Sequence, residues 1–325
     1  MIISKAPLRV TFFGGGTDFE SYFKKKKTRT FGSAINKFSY IFLRELSQID
    51  DCRFRITHLN KEQVQRYKDI QHPVFKAALD ITNLKKSRLE INYFTDLPPY
   101  SGTGSSSAFA VSLLSALNFY KGRSISKQEL ANQAIYLERK YLKEPGGYQD
   151  QLTSAYGGLC LFEYCKSYIK KIKIKANIRM KQTINQNFVM VYTGVRRDGP
   201  ELIRQQLVKD KNREAKLNAF TSQADESLKF LEKRDLVSFG ALLNQAWLLK
   251  RKMPKVSSNA LDKIYEKTLE SGSLGGKLLG AGGGGFFLCL VPIEKKNIFR
   301  KKMSGFDVID ISVNDNGVET KFLSI

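Results

Sequence analysis

Hydrophobic and polar residues alternate near the start of the chain, where Leu8, Val10 and Phe12 are separated by Arg9 and Thr11. A period of two predicts a half-buried strand. The same alternation predicts a strand at Leu89–Phe94, and Ile35–Leu43, Phe286–Val291 and the segment NFVMVYTG read as further strands. Val74–Thr82 reads as a short helix. The clearest helix is ISKQELANQAIYLERKYL, opened by a capping box of Ser126 and Glu129 and a hydrophobic staple of Ile125 and Leu130. At about 100° per residue its apolar side chains fall on one arc, and Glu138 falls near the centre of that arc. A carboxylate on a buried face is costly unless it is paired or bound to a cation. Glu138 is therefore either half of a buried salt bridge or part of a cation site.

Three glycine-rich stretches interrupt these elements. The first strand runs into FFGGGTDFESYF, which sets Asp18 beside an open backbone. Between the strand at Leu89–Phe94 and an apolar helix pattern lies LPPYSGTGSSSAFAVSLL. A helix start offers unpaired N–H groups and the positive end of the dipole, and glycine lets that backbone approach an anion. An ordinary turn with a serine cap has the same composition. The third stretch, GGKLLGAGGGGFFLCLVP, contains Gly280, Gly282 and Gly285 in a G-x-G-x-x-G spacing, but a strand follows it, which excludes a dinucleotide fingerprint. No P-loop spacing occurs. After the clear helix comes EPGGYQDQLTSAYGG, where Pro145 and the glycine pair end the helix and Asp150 follows. Two acidic residues flanking one turn can serve one site, one for a metal and one for a hydroxyl.

Composition narrows the class. With 325 residues and 42% hydrophobic content, the chain is long enough for two domains with a substantial core. A composition shift near residues 170 to 185 places the boundary, giving an N-terminal domain over 1–180 and a C-terminal domain over 181–325. Two or three helices are expected before Ser271, and a last helix–strand pair at the end. No apolar run reaches membrane-spanning length and the start lacks a signal-peptide layout, so the cytoplasm is the expected location. Four cysteines and two histidines make no metal-ligand spacing, which argues against a zinc site or a histidine triad. Lys+Arg exceed Asp+Glu by +23, but the basic clusters are scattered, so no specific nucleic-acid binding is expected.

Taken together, KAPLRVTFFGGGTD (Lys5 to Asp18), PPYSGTGSSSA (Pro98 to Ala108) and KLLGAGGGGFF (Lys277 to Phe287) resemble the three motifs of the GHMP kinases in order and spacing. Within that family the chain is most like kinases of D-glycero-D-manno-heptose 7-phosphate. Tyr100 and Thr103 stand where glycine and leucine are more usual. The resemblance implies an α+β fold of two domains, the first ribosomal-protein-S5-like and the second ferredoxin-like, with ATP and the acceptor between them.

The resemblance also implies site roles. Ser101, Gly102, Thr103, Gly104, Ser105, Ser106 and Ser107 would wrap the ATP phosphates, with Ser106 and Glu138 at Mg²⁺. Asp150 matches the aspartate set against the attacking hydroxyl, as base or as orienting group. Arg9 stands where many relatives carry lysine, near the reacting phosphoryl. Gly15, Gly16, Thr17 and Asp18 would meet the sugar, and the third loop, with Gly282 and Gly283, would shape the acceptor site. Arg196, Arg197 and Lys277 are candidates for the 7-phosphate. The implied reaction phosphorylates the anomeric C1 hydroxyl, giving the 1,7-bisphosphate for nucleotide-activated heptose and surface polysaccharide. Fucose, galactose or mevalonate as acceptor, a non-catalytic sugar and ATP sensor, and a homodimer are left open.

Overall fold

The computed structural model describes residues 1–174, 178–195, 199–209 and 213–323. Among the described residues, twelve strands form two sheets. The larger has β1 (Ile2–Phe13), β2 (Thr28–Glu45), β3 (Phe54–Thr57), β4 (Lys61–Val64), β5 (Leu89–Thr95), β6 (Leu159–Tyr164), β7 (Ile169–Ile172) and β12 (Glu319–Phe322). Its main order is β12-β1-β2-β5-β3-β4, with β6 and β7 branching from β2. The long strand β2 makes the branch, since Thr28–Ser33 pair with β6 while Ser39–Glu45 pair with β5. β1 follows both halves of β2, with register shifts between Pro7 and Arg9 and between Thr11 and Phe13.

The smaller sheet contains β8 (Phe188–Tyr192), β9 (Gly275–Leu278), β10 (Phe286–Leu290) and β11 (Val308–Asp310), all antiparallel in the order β11-β8-β10-β9. In chain order that is 4-1-3-2, the ferredoxin-like arrangement. The helices are α1 (Glu20–Phe23), α2 (Pro73–Ile81), α3 (Ser105–Tyr120), α4 (Lys127–Ile135), α5 (Gln149–Tyr156), α6 (Ile178–Asn187), α7 (Gly199–Lys209), α8 (Arg213–Lys233), α9 (Leu236–Lys250), α10 (Asn259–Glu270) and α11 (Lys296–Lys302). Among the described residues, three helices, α8, α9 and α10, follow α7 up to Ser271, within the two or three expected. The expected division at 180/181 falls inside α6, and β12 returns to pair with β1, so the chain's last strand lies in the first sheet.

β1 positions the site. Its alternation puts Leu8, Val10 and Phe12 in the core with no exposure, while Arg9, Thr11 and Phe13 line a cavity. Phe12 packs on Phe31, Phe188 and Phe239, so one aromatic cluster ties the large sheet to β8 and α9. Full burial of such side chains contributes about 1.5–3 kcal/mol each. The strand is therefore a firm base for the polar residues on its other side.

Candidate active site

The serine-rich loop ends at Gly104, whose left-handed conformation (φ 74°) turns the chain into α3. Gly104 has no side chain to cap the helix, so the first N–H groups of α3 are left for an anion. Ser101 and Thr103 bond to each other at 2.9 Å, and both are buried. Gly102 presents its carbonyl to Arg9 Nη1 at 2.5 Å. Gly285, in the third motif, packs against the carbonyl of Ser101; its φ is 94°, and a Cβ there would overlap that oxygen. Phe286 N–H donates to the same oxygen at 3.2 Å. The second and third motifs thus meet through backbone.

Glu138 is 1% exposed and lies in a π-helical turn, Tyr136–Tyr141, that continues α4. Such turns insert extra backbone into a helix and re-aim its side chains. Here the Glu138 carboxylate receives Ser106 Oγ at 2.8 Å on Oε1 and Ser107 Oγ at 2.8 Å on Oε2, with Gln151 Nε2 donating as well. The Arg139 guanidinium lies 3.8 Å away. Neither a simple ion pair nor a bare carboxylate, Glu138 is joined to the phosphate loop by hydroxyls. A carboxylate with a hydroxyl beside the phosphate loop is a hard-oxygen donor set that fits Mg²⁺, which usually takes one or two protein ligands plus phosphates and water. Among the described residues no cluster of three His, Cys, Asp or Glu side chains could hold a metal.

Asp150, in the first turn of α5, faces Arg9 across the mouth of the same loop. Arg9 Nε and Nη2 donate to its two oxygens at 2.6 Å each, a bidentate pair. Asp18 lies near it, 1% exposed, accepting from Gly16 N at 3.1 Å and Gln149 N at 2.9 Å. Burial pushes the Asp18 carboxyl above its ordinary value, the Gln149 N–H opposes this, and the charge of Asp150 adds to the rise. Asp18 also caps α5, which the sequence did not reveal.

Arg9, Thr11, Asp18, Gln149 and Asp150 share a cavity of about 170 Å³ with Lys277, Gly280 and residues of α8 and α9. Gly15 and Gly16 are in its wall as expected. Thr17 is not: its hydroxyl is bonded to the carbonyls of Gly14 and Arg29. Gly282 and Gly283 pack on Val256 instead, and Gly280 with Ala281 takes the cavity side. Arg196 and Arg197 lie outside the described residues. Sequence reasoning missed Gln149, Lys250 and Arg139, which line the cavity from distant helices and carry no motif of their own.

Residues 72–158 match the model of the GHMP kinases N terminal domain, and residues 227–304 match that of the GHMP kinases C terminal. The two cover half of the chain. The chain belongs to the GHMP kinase family. As a member it is an ATP-dependent phosphotransferase with an alcohol as acceptor. The D-glycero-alpha-D-manno-heptose 7-phosphate kinase of Campylobacter jejuni is 27% identical over 98% of this chain and 98% of its own. The mevalonate kinase of Methanocaldococcus jannaschii is 26% identical over 94% of this chain and 97% of its own. Among solved structures, a D-glycero-D-manno-heptose 1-phosphate kinase from Bacteroides thetaiotaomicron superposes with a TM-score of 0.82 over the whole of both chains at 20% identity, which shows the fold. No helix among the described residues is long and apolar enough to cross a membrane.

Proposed function

We propose that this GHMP kinase transfers the γ-phosphoryl group of ATP to the anomeric C1 hydroxyl of D-glycero-D-manno-heptose 7-phosphate, giving the 1,7-bisphosphate and ADP. The observation that carries the phosphotransfer is the Arg9–Asp150 pair, which stands where the phosphate loop opens into the cavity. The heptose rests on the likeness to the Campylobacter jejuni enzyme over nearly the full length of both chains.

In this reading Ser101 to Ser107 hold the phosphates with backbone N–H groups and hydroxyls. Glu138 and Ser106 would hold Mg²⁺, which when bound neutralises charge on the phosphates. Asp150 orients the acceptor hydroxyl, and Arg9 offsets negative charge as it develops on the transferring group. Because both Asp150 oxygens already accept from Arg9, each meets the hydroxyl with a remaining lone pair. Asp18 accepts from sugar hydroxyls beside it. Arg196 and Arg197 remain proposed contacts for the 7-phosphate.

ADP release with Mg-ATP and heptose 7-phosphate, mannose, fucose, galactose and mevalonate in turn tests the reading, with Asp150→Asn beside the parent. Turnover confined to heptose 7-phosphate and lost in the variant supports it. Turnover on mevalonate, as the similarity to the Methanocaldococcus enzyme would favour, or on a free sugar keeps the kinase and discards the heptose. Turnover on none of them removes the acceptor assignment altogether.

A further inference from the structure

Lys277 is the outlier among the charged groups of the cavity. It projects from β9 into the wall of the cavity, it is 6% exposed, and its ammonium donates to the carbonyl of Phe12 at 2.9 Å. Among the described residues it has no carboxylate partner. The carboxylates that share the cavity are already engaged, Asp150 by Arg9 and Asp18 by the N–H groups of Gly16 and Gln149. Lys277 shares the cavity wall with Arg9 on β1, Arg139 in the π turn and Lys250 at the end of α9, and with the carboxylates Asp18 and Asp150. Cations outnumber carboxylates. A buried cation without a counter-charge is costly, and the cost is removed when an anion arrives.

We propose that Lys277 is the anchor for a negatively charged group on the acceptor, and so selects anionic acceptors over neutral sugars. The proposal rests on the reading of the cavity as the acceptor site, and it adds the residue that reads the acceptor's charge. The negative group is a phosphate monoester or a carboxylate, and both would engage the same ammonium. Burial, with Arg9 adding to it, pushes the free Lys277 ammonium down to about 7. An anion beside it reverses that shift. At pH 8 the empty site therefore holds a largely neutral amine, while the occupied site holds an ammonium, so binding draws in close to one proton from solution. No bond other than N–H forms in this step. Solvent supplies the proton and regains it on product release.

Calorimetric titration of the full-length protein with heptose 7-phosphate at pH 8, in two buffers of different ionisation enthalpy, reads that proton directly. At this pH the phosphate monoester is already a dianion and contributes no uptake of its own. Mevalonate is the carboxylate arm and mannose the neutral arm. The expected result is uptake approaching one proton for whichever anionic acceptor binds, with none for mannose. Lys277→Arg should bind the anion without uptake. Lys277→Met should raise KM for the anionic acceptor about 10- to 100-fold with a smaller change in kcat.

An anionic acceptor that binds without proton uptake overturns the proposal. So does Lys277→Met with unchanged KM. Binding of mevalonate with uptake, and no binding of heptose 7-phosphate, would retain the anchor and reject the heptose, which separates this inference from the acceptor assignment. The Arg variant keeps a donor toward Phe12, so a folding defect in the Met variant leaves the test intact.

Discussion

The Arg9–Asp150 pair invites a double-mutant cycle, because it is at once a short bidentate contact at the cavity and the proposed centre of the reaction. Its two bonds are both 2.6 Å, and a third bond at 2.5 Å ties Arg9 to the phosphate loop. Hydrogen bonds to charged groups contribute about 1.5–3 kcal/mol, and removing one partner of a buried pair costs about 3–5 kcal/mol because the other charge is stranded. The Arg9 side chain is 5% exposed but that of Asp150 is 22% exposed, so a stranded Asp150 regains some hydration. We therefore expect Arg9→Met to cost about 2–4 kcal/mol and Asp150→Asn about 1–3 kcal/mol, with the double variant nearer the parent than the two losses summed. The coupling should be about 2 kcal/mol. Urea unfolding of the four proteins measures it, and ADP release in the same four should show both single variants reduced at least about 100-fold. A coupling below about 0.5 kcal/mol would refute the claim that the two side chains act as one buried unit.

Other parts of the site make separate demands. Glu138→Gln keeps the shape that Ser106 and Ser107 bond to but removes the charge, so it should raise the Mg²⁺ concentration needed for ADP release and lower the rate about 100-fold. Mg²⁺ dependence identical to the parent would remove Glu138 from the metal site. Gly285→Ala places a Cβ against the Ser101 carbonyl in a left-handed conformation, and should cost about 2–4 kcal/mol in stability while raising KM for ATP. Wild-type melting in that variant would show that the loop contact is loose. Burial opposes ionisation of Glu163, yet hydrogen bonds from Arg29, Tyr168, Lys27 and Lys170 hold its carboxyl down to about 2. A depressed carboxyl stabilises fully above its unfolded value of 4.5 and loses that contribution as pH falls toward 2, so Glu163→Gln should flatten the fall of Tm over that window. An acid limb identical to the parent's would assign the acid transition to other groups.

What could be read from the sequence was periodic or local. The alternation around Arg9 put that residue and Thr11 opposite the core face of β1, and the helical arc put Glu138 on the buried side of α4. The Ser126 cap was legible too, accepting from Glu129 N–H at 3.1 Å, while the Glu129 carboxylate lies by Arg123 at 3.5 Å. The π-helical turn was not, because one extra backbone residue per turn leaves the hydrophobic pattern almost unchanged. Nor were contacts between distant segments. Asp18 capping α5, Gln151 donating to Glu138 and Lys277 donating to Phe12 depend on how the chain folds back, and residue type alone carries no trace of them. Thr17 shows the converse: a hydroxyl inside a binding motif can serve the backbone of its own turn.

The glycines explain why three separated motifs make one site. Each motif is braced by another through main-chain oxygen, although two of the donors, Arg9 and Lys277, are side chains that the proposed ligands would also engage. Arg9 of the first holds the Gly102 carbonyl of the second, and Phe286 of the third holds the Ser101 carbonyl. Lys277, which opens the third, holds the Phe12 carbonyl of the first. The three contacts close a ring around the cavity, and two of them use buried basic side chains as braces. Both side chains are positioned before any substrate arrives. Pre-positioned charge is worth more in a dry cavity than charge that must be recruited, because it requires little reorganisation when the phosphoryl group moves. Burial and Arg9 both disfavour the charged form of Lys277 while the site is empty, and an anionic substrate relieves that. On that logic, binding should stiffen the junction of the two sheets. Protection of the Phe286 amide from hydrogen exchange, which reports the Ser101 contact, should increase when the anionic acceptor and a non-hydrolysable ATP analogue are both present, and should not do so in Lys277→Met.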